Sequence, residues 1–175
     1  MIIILIIISI IVYYNFLYKK VENLKLTTTY NSDWDDKTNC YAYSYNDLEY
    51  RPWMQEQPGA FSNPPDNSGN TCSDYIRRIL KDDPQTIQIN CDQSCPNGYR
   101  KIFLASDPDN IDYHFYRSDN LTDGTEHWSH KPGKLDVRYL DYGVKPWNIE
   151  RKGYTHNYKD SCGCFCIIMD NSLEP

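Results

Sequence analysis

The stretch that decides the fold is IDYHFYRSDNLTDGTEHWSHKPG, residues 111–133. Residues 111–118 alternate between two sets of side chains, which is the period of a β-strand. Turn-forming Asp, Asn and Gly residues are concentrated at 119–124, and residues 126–130 have the composition of a return strand. The stretch therefore predicts a β-hairpin within an antiparallel sheet.

This hairpin is expected to place two histidines on one face of the sheet. A turn centred near Thr122 puts His114 opposite His130, and directly opposed residues share a face with Cβ atoms about 4.5–5.5 Å apart. Trp128 and Tyr116 would oppose each other on the same face and pack there. Two neighbouring imidazoles call for a chemical or structural explanation.

Length, charge and composition limit the class of protein. A chain of 175 residues favours one domain with a short appendage. The net charge is −6, and no run of basic residues is longer than two, so a nucleic-acid partner is not expected. The 16 Tyr, 4 Trp and 5 Phe residues provide enough aromatic volume for a core.

The N-terminal segment predicts a single-pass membrane anchor. Residues 2–12 are apolar except for Ser9, and the aromatic residues at 13–18 resemble an interfacial belt. Residues 2–18 could just cross a bilayer, which requires about 20 residues. A signal peptide and a buried core strand are the alternatives. The lysines after the segment favour a cytoplasmic domain, but the cysteines favour a lumenal or extracellular one, which we expect.

The remaining chain is divided into a linker and one α+β domain. Residues 1–20 form the anchor, 21–38 the linker and 39–175 the domain. A short helix begins at Cys40 with Thr38 or Asn39 as its cap, and Thr71 caps a second helix. The second helix is expected at 72–83, with further strands at 86–90, 99–106 and 135–139.

Cys40 is the candidate nucleophile. A thiolate is stabilised by a helix N-terminus and by a neighbouring imidazole, and Cys40 precedes a helix while His114 lies on a later strand. A third polar group must orient the imidazole and fix its tautomer, and the hairpin places His130 for that role. No cofactor or metal is expected for this Cys-His-His constellation.

Six motifs carry a resemblance to a known superfamily: NCYAY, QPG, CPNGYRK, DYHFYR, WSHKPG and CGCFC. Together they resemble a group of microbial and viral proteins assigned to the papain-like NlpC/P60 cysteine peptidases, over about residues 39–166. The resemblance implies a papain-like domain whose Cys-bearing helix packs on an antiparallel sheet. It also implies a nucleophile at Cys40, a base at His114 and an orienting residue at His130. The expected substrate is a peptide or acyl compound.

Several alternatives remain open from the sequence. Cys40 could be bridged, and His114 could be a strand histidine with a structural hydrogen bond. His127 and His156 are interpreted as surface or packing residues. The chain would then be a non-catalytic, disulfide-stapled ectodomain that binds a protein or glycan.

The other six cysteines also allow more than one arrangement. Cys162, Cys164 and Cys166 alternate, so a strand would place them on one face, and their partners would come from the three earlier cysteines. Fifteen pairings are open for six cysteines. A zinc site containing Cys91 and Cys95, or free thiols in a reducing compartment, are the alternatives.

Overall fold

A computed structural model describes the chain in four segments. These segments are residues 38–45, 57–120, 125–152 and 156–168. The expected membrane anchor at 2–18, and the linker up to residue 37, lie outside the described residues. Within the four segments, no helix is long and apolar enough to cross a membrane.

The described part of the chain has an α+β architecture. Helix α1 spans Cys40–Tyr45 and α2 spans Cys72–Asp82, and a short 3₁₀ helix spans Pro146–Asn148. The strands are β1 (Ile87–Ile89), β2 (Tyr99–Asp107), β3 (Asp112–Asn120), β4 (Glu126–His130), β5 (Arg138–Tyr139) and β6 (Asp160–Ile168). They form one antiparallel sheet in the order β1-β6-β2-β3-β4-β5. The α+β prediction is confirmed at this level.

Helix α2 begins and ends where the local chemistry predicts. The Thr71 hydroxyl accepts a hydrogen bond from the Asp74 amide, and the Asp74 side chain accepts one from the Thr71 amide, which completes a capping box. Tyr75 and Ile79 are buried on the sheet side of the helix. The helix ends at its C-cap, Asp83, because the residue before a proline is disfavoured in the helical conformation and Pro84 follows Asp83.

The central hairpin forms, but its register differs from the expected one. His130 pairs with Tyr116, whereas its expected partner, His114, lies two residues before Tyr116 on β3. A shift of two residues preserves the face on which every side chain lies, because side chains on a strand alternate with a period of two. The two histidines therefore share a face as predicted, although they are diagonal neighbours. The residue opposite Trp128 is Ser118.

One strand prediction needs correction. The strand expected at 135–139 is reduced to Arg138–Tyr139, which pairs with the end of β4. Pro132 and Gly133 precede it, and Gly133 has a positive φ of 52°. This turn directs the chain away from β4 before it can return, so only the last two residues join the sheet.

The sheet separates two apolar clusters. On the helix face, α1 and α2 pack against alternate residues of the central strands, among them Ile102, Leu104, Tyr113, Phe115 and Phe165. On the opposite face, Phe103, Tyr116 and Trp128 are covered by the segment that carries Trp147 and Tyr158. Burying each large apolar side chain contributes about 1.5–3 kcal/mol, so both faces of the sheet stabilise the fold.

All seven cysteines lie in the described residues, and six of them form three disulfides. The bridges are Cys72–Cys162, Cys91–Cys164 and Cys95–Cys166. The disulfide prediction is confirmed, and these bridges leave no free Cys91–Cys95 pair for zinc.

The expectation that the three late cysteines share one face is wrong. The register of β6 against β2 shifts between Leu104 and Ala105, so Cys162 is an extra residue in a β-bulge. Gly163, with a φ of 126°, provides the backbone conformation. Cys162 therefore lies on the helix face and bridges to α2, while Cys164 and Cys166 bridge on the other face.

We expect the Cys95–Cys166 bridge to contribute to stability. The neighbouring Cys91–Cys164 bridge already joins the same two regions, so Cys95–Cys166 closes a short additional loop in the unfolded chain, which contributes about 2 kcal/mol. The double variant Cys95→Ala/Cys166→Ala should lower the free energy of unfolding in urea by that amount. The difference between the two proteins should disappear in a reducing buffer, and equal stability without reductant would contradict a stabilising role for this bridge.

Candidate active site

Cys40 is the first residue of α1 and the one cysteine without a disulfide. The Asn39 side-chain oxygen accepts hydrogen bonds from the amides of Tyr41 (2.9 Å) and Ala42 (3.0 Å), so Asn39 caps the helix as the sequence predicts. The exposed fraction of Cys40 is 6%, and its side chain belongs to the apolar cluster on the helix face. The alternative in which Cys40 is bridged is thus wrong.

Two side chains on α1 fix the helix to the rest of the domain. The Tyr41 hydroxyl donates to the Asp82 carboxylate at the end of α2, at 2.7 Å. The Tyr43 hydroxyl and the Ser129 hydroxyl on β4 are 2.7 Å apart and share a hydrogen bond. These contacts hold a helix of only six residues that has too few internal hydrogen bonds to be stable alone.

The two predicted histidines meet directly. His114 Nε2 lies 2.7 Å from His130 Nδ1, and the two rings are perpendicular with centroids 4.9 Å apart. Tyr116 stacks on the His130 ring, and its ring centroid is 4.9 Å from that of His114. The exposed fraction of His114 is 4%, so its ring is shielded from water, whereas His130 is half-buried.

Cys40 meets the β3 backbone beside His114. The Cys40 side chain packs with Phe115, the residue that follows His114, and the Phe115 backbone lies near enough to lower the pKa of the thiol. Pairing between β3 and β4 starts only at Tyr116, so the thiol lies against β3 where β4 is no longer its neighbour. The His114 side chain and α1 lie on opposite faces of the sheet, so a contact between thiol and imidazole has to be made around this edge of β3.

The structure brings the two imidazoles together but does not join the thiol to them. Among the described residues, neither imidazole makes a hydrogen bond to the thiol. Catalytic hydrogen bonds are often long or poorly aligned before substrate binds. The structure therefore brings His114 and His130 into direct contact, and it brings Cys40 to the backbone next to His114.

Burial determines the charge state of the thiol. It raises the pKa of Cys40 to about 12, and the nearby Asp112 carboxylate raises it further. The backbone amides of Phe115, Cys40 and Tyr41 lower the pKa of the thiol, but they do not offset the loss of hydration. At neutral pH, Cys40 is therefore a protonated thiol.

The imidazoles are also uncharged at neutral pH. Burial, and then the nearby His130, holds the pKa of His114 well below its usual value. Burial, and then the Arg138 guanidinium, lowers the pKa of His130 to about 4. One proton is shared along the Nε2–Nδ1 contact, so a neutral His114 that donates from Nε2 keeps Nδ1 free to accept another proton.

A polar group that the sequence did not predict covers the histidines. The Tyr158 ring packs on His114 with centroids 5.2 Å apart, and the Tyr158 hydroxyl donates to Asp112 at 2.8 Å. His156 stacks on Tyr158 and lies 3.4 Å from Asp112, so it is a partly buried packing residue as expected. The alternation of β3 already puts Asp112 on the histidine face, but nothing in the sequence near Tyr158 indicates this contact.

Within the four described segments, no cluster of three or more His, Cys, Asp or Glu side chains could hold a metal ion. His127, the other histidine of β4, faces away from the pair and contacts the Leu140 carbonyl oxygen at 3.1 Å. The groups available for chemistry include a thiol, two imidazoles, backbone amides, and the Tyr158 hydroxyl with its Asp112 partner.

The buried histidines should make stability depend on pH. The unfolded chain binds protons at these imidazoles below about pH 6.5, whereas the folded chain excludes them until the pH nears the lowered pKa values. The free energy of unfolding should be highest above pH 6.5 and fall towards pH 4. One to two protons give a slope of about 1.4–2.7 kcal/mol per pH unit.

Urea unfolding at several pH values would measure this slope. The double variant His114→Phe/His130→Phe should be much less sensitive to pH between 4 and 6.5, because neither substituted side chain titrates. The His127→Ala variant should keep the wild-type slope. An unchanged slope in the double variant would refute the assignment of these protons to the pair.

Comparison of the chain with protein-family models, with curated proteins and with solved structures finds no match. The resemblance to NlpC/P60 peptidases therefore depends on the six motifs alone. A function for this chain has to be inferred from the geometry of Cys40, His114 and His130.

Proposed function

We propose that the domain is a papain-like cysteine hydrolase that cleaves a peptide, amide or acyl bond. Cys40 is the nucleophile, His114 the base and His130 the residue that orients His114. The observation that carries this proposal is the direct contact between His114 Nε2 and His130 Nδ1, at 2.7 Å. The pair belongs to strands β3 and β4, and the helix that begins at the unbridged Cys40 packs against β3.

The protonation states support general-base catalysis from a neutral pair. Because the thiol keeps its proton and His114 is unprotonated, the proton must move to His114 as the sulfur attacks the carbonyl carbon. His130 accepts the hydrogen bond from His114 Nε2, which leaves Nδ1 to take that proton. The imidazolium that forms is stabilised by the same contact.

The remaining steps return every group to its starting state. The S–C bond forms, the bond to the leaving group breaks, and His114 gives its proton to the leaving group. Water then attacks the Cys40 thioester while His114 accepts a proton from it. The acid product leaves, and the proton returns to the sulfur, so no external oxidant, reductant or cofactor is consumed.

The Cys40 amide is the proposed oxyanion donor. In the first turn of α1, the amides of Tyr41 and Ala42 already bond to Asn39. The Cys40 amide lies at the start of the same helix, beside its own sulfur and close to where a carbonyl oxygen would lie during attack. A single donor of this kind is worth about 3 kcal/mol of transition-state stabilisation.

The second candidate function is a non-catalytic ectodomain that binds a protein or glycan. Three disulfides staple a domain of modest size, which is typical of secreted and cell-surface modules. The deep burial of Cys40 is compatible with a purely structural thiol. Under either function, we propose that residues 2–18 anchor the chain as a single-pass membrane protein, with the disulfide-containing domain on the lumenal or extracellular side.

Acyl transfer to Cys40 tests the hydrolase directly. With p-nitrophenyl acetate as the probe, the full chain should release p-nitrophenolate and acquire an acetyl group on Cys40 that intact mass spectrometry detects. Cys40→Ala should abolish this, and His114→Ala should slow it by about 10²–10⁴-fold, the usual contribution of general-base catalysis. His130→Ala should also slow the reaction, because the orientation of His114 is lost.

The chain provides a matched control for these variants. His127 lies on the same strand as His130 but on the other face, where it contacts Leu140. His127→Ala should therefore keep the wild-type rate. Equal rates for His114→Ala, His127→Ala and the wild type would favour the binding module.

The pH dependence distinguishes a neutral pair from a thiolate–imidazolium pair. The Cys40-dependent kcat/KM should rise as pH increases through the lowered pKa of His114 and then stay level from about pH 7 to 10, because the thiol pKa is about 12. A thiolate–imidazolium pair would instead lose activity above the histidine pKa. Subtracting the rate of Cys40→Ala at each pH removes spontaneous ester hydrolysis, and a bell-shaped profile centred below pH 7 would contradict the neutral pair.

A further inference from the structure

A fully buried lysine connects the two halves of the candidate site. Lys131 has no exposed surface, and its ammonium donates to the carbonyl oxygens of Thr38 and Gly133, each at 2.7 Å. Thr38 lies two residues before Cys40. Gly133 belongs to the turn that ends β4, so one side chain joins the approach to the helix with the turn after the histidine.

Strand geometry explains how one segment can reach both faces of the sheet. His130 points to the face where it meets His114. Lys131 is the next residue, so its side chain leaves toward the opposite face, which is the face occupied by α1. His130 and Lys131 are therefore neighbours in the chain that make contacts on opposite faces of the sheet. His130 contacts His114, and Lys131 contacts the segment that leads to Cys40.

Burying this ammonium is costly, which indicates that its contacts matter. Transfer of a charge from water is unfavourable unless hydrogen bonds compensate it, and an apolar residue would fill the space without that cost. The hydrogen bonds to Thr38 and Gly133 provide compensation, and they fix the backbone that leads into Cys40.

We propose that Lys131 is a positioning residue that holds the start of α1, and with it the Cys40 sulfur, against β3. This inference rests on the proposed hydrolase for its catalytic meaning. Without the ammonium, the Thr38 carbonyl loses this hydrogen bond and the Cys40 segment opens locally. The three disulfides and the sheet stay in place.

Alkylation of Cys40 by iodoacetamide in the native full chain measures this opening. The other six cysteines are bridged, so intact mass spectrometry follows one thiol. In Lys131→Met, alkylation should be about tenfold faster than in the wild type, because a buried carbonyl loses its donor. Acetyl transfer from p-nitrophenyl acetate should become slower in the same variant, so the two rates should change in opposite directions.

Lys101→Met is the matched control. It makes the same substitution at another buried lysine, whose ammonium contacts the Cys91 carbonyl and Glu126 and not α1. Its alkylation rate should stay within about twofold of the wild type. Equal acceleration in Lys101→Met and Lys131→Met, or no acceleration in Lys131→Met, would overturn the proposal.

A second variant covers the case in which Lys131→Met does not fold. Lys131→Gln keeps a polar donor but is too short to reach both carbonyl oxygens, so its alkylation should still exceed that of Lys101→Met. Equal rates in those two variants would overturn the positioning role. If the wild type transfers no acetyl group while the alkylation order holds, the hydrolase fails and the contact between Lys131 and the Cys40 segment stands.

Discussion

The candidate site depends on where the pairing between β3 and β4 stops. The last paired residues are Tyr116 and His130, and the chain then turns away through Pro132 and Gly133. Phe115 precedes Tyr116 on β3, so no β4 residue is paired with it. Its backbone amide is consequently available to the Cys40 sulfur. If β4 continued for two more residues, a backbone carbonyl would compete for that amide, because backbone donors in sheets are almost always paired.

Much of the fold follows from local sequence rules. The period-two pattern of residues 111–118 and the turn residues after it give the hairpin, and the Thr71–Asp74 capping box gives the start of α2. Rules of this kind describe which residues alternate or cap, and they are insensitive to register. The pairing of His130 differs from the prediction by two residues for this reason. The position of the turn centre is inferred from turn-forming residues, and these do not determine which residues of the two strands lie opposite each other.

The site is predictable in part because its members lie on predictable elements. Alternation gives a shared face for His114 and His130, and the odd number of cysteines is consistent with an unpaired thiol at Cys40. The burial of that thiol is not predictable, because it depends on packing between α1 and strands far away in sequence. The contact of Tyr158 with His114 has the same origin. The bulge at Cys162 also escapes prediction, since a simple alternation does not reveal an extra residue.

Burial also explains how a free thiol can persist beside three disulfides. Cys40 shares an apolar cluster with Cys162, which is bridged to Cys72, and thiol–disulfide exchange requires an attacking thiolate. With a pKa of about 12, only about one molecule in 10⁵ carries that thiolate at pH 7. The same loss of hydration that suppresses exchange obliges the proposed nucleophile to depend on His114 for deprotonation. Protection of the thiol and its need for a base are therefore consequences of one physical cause.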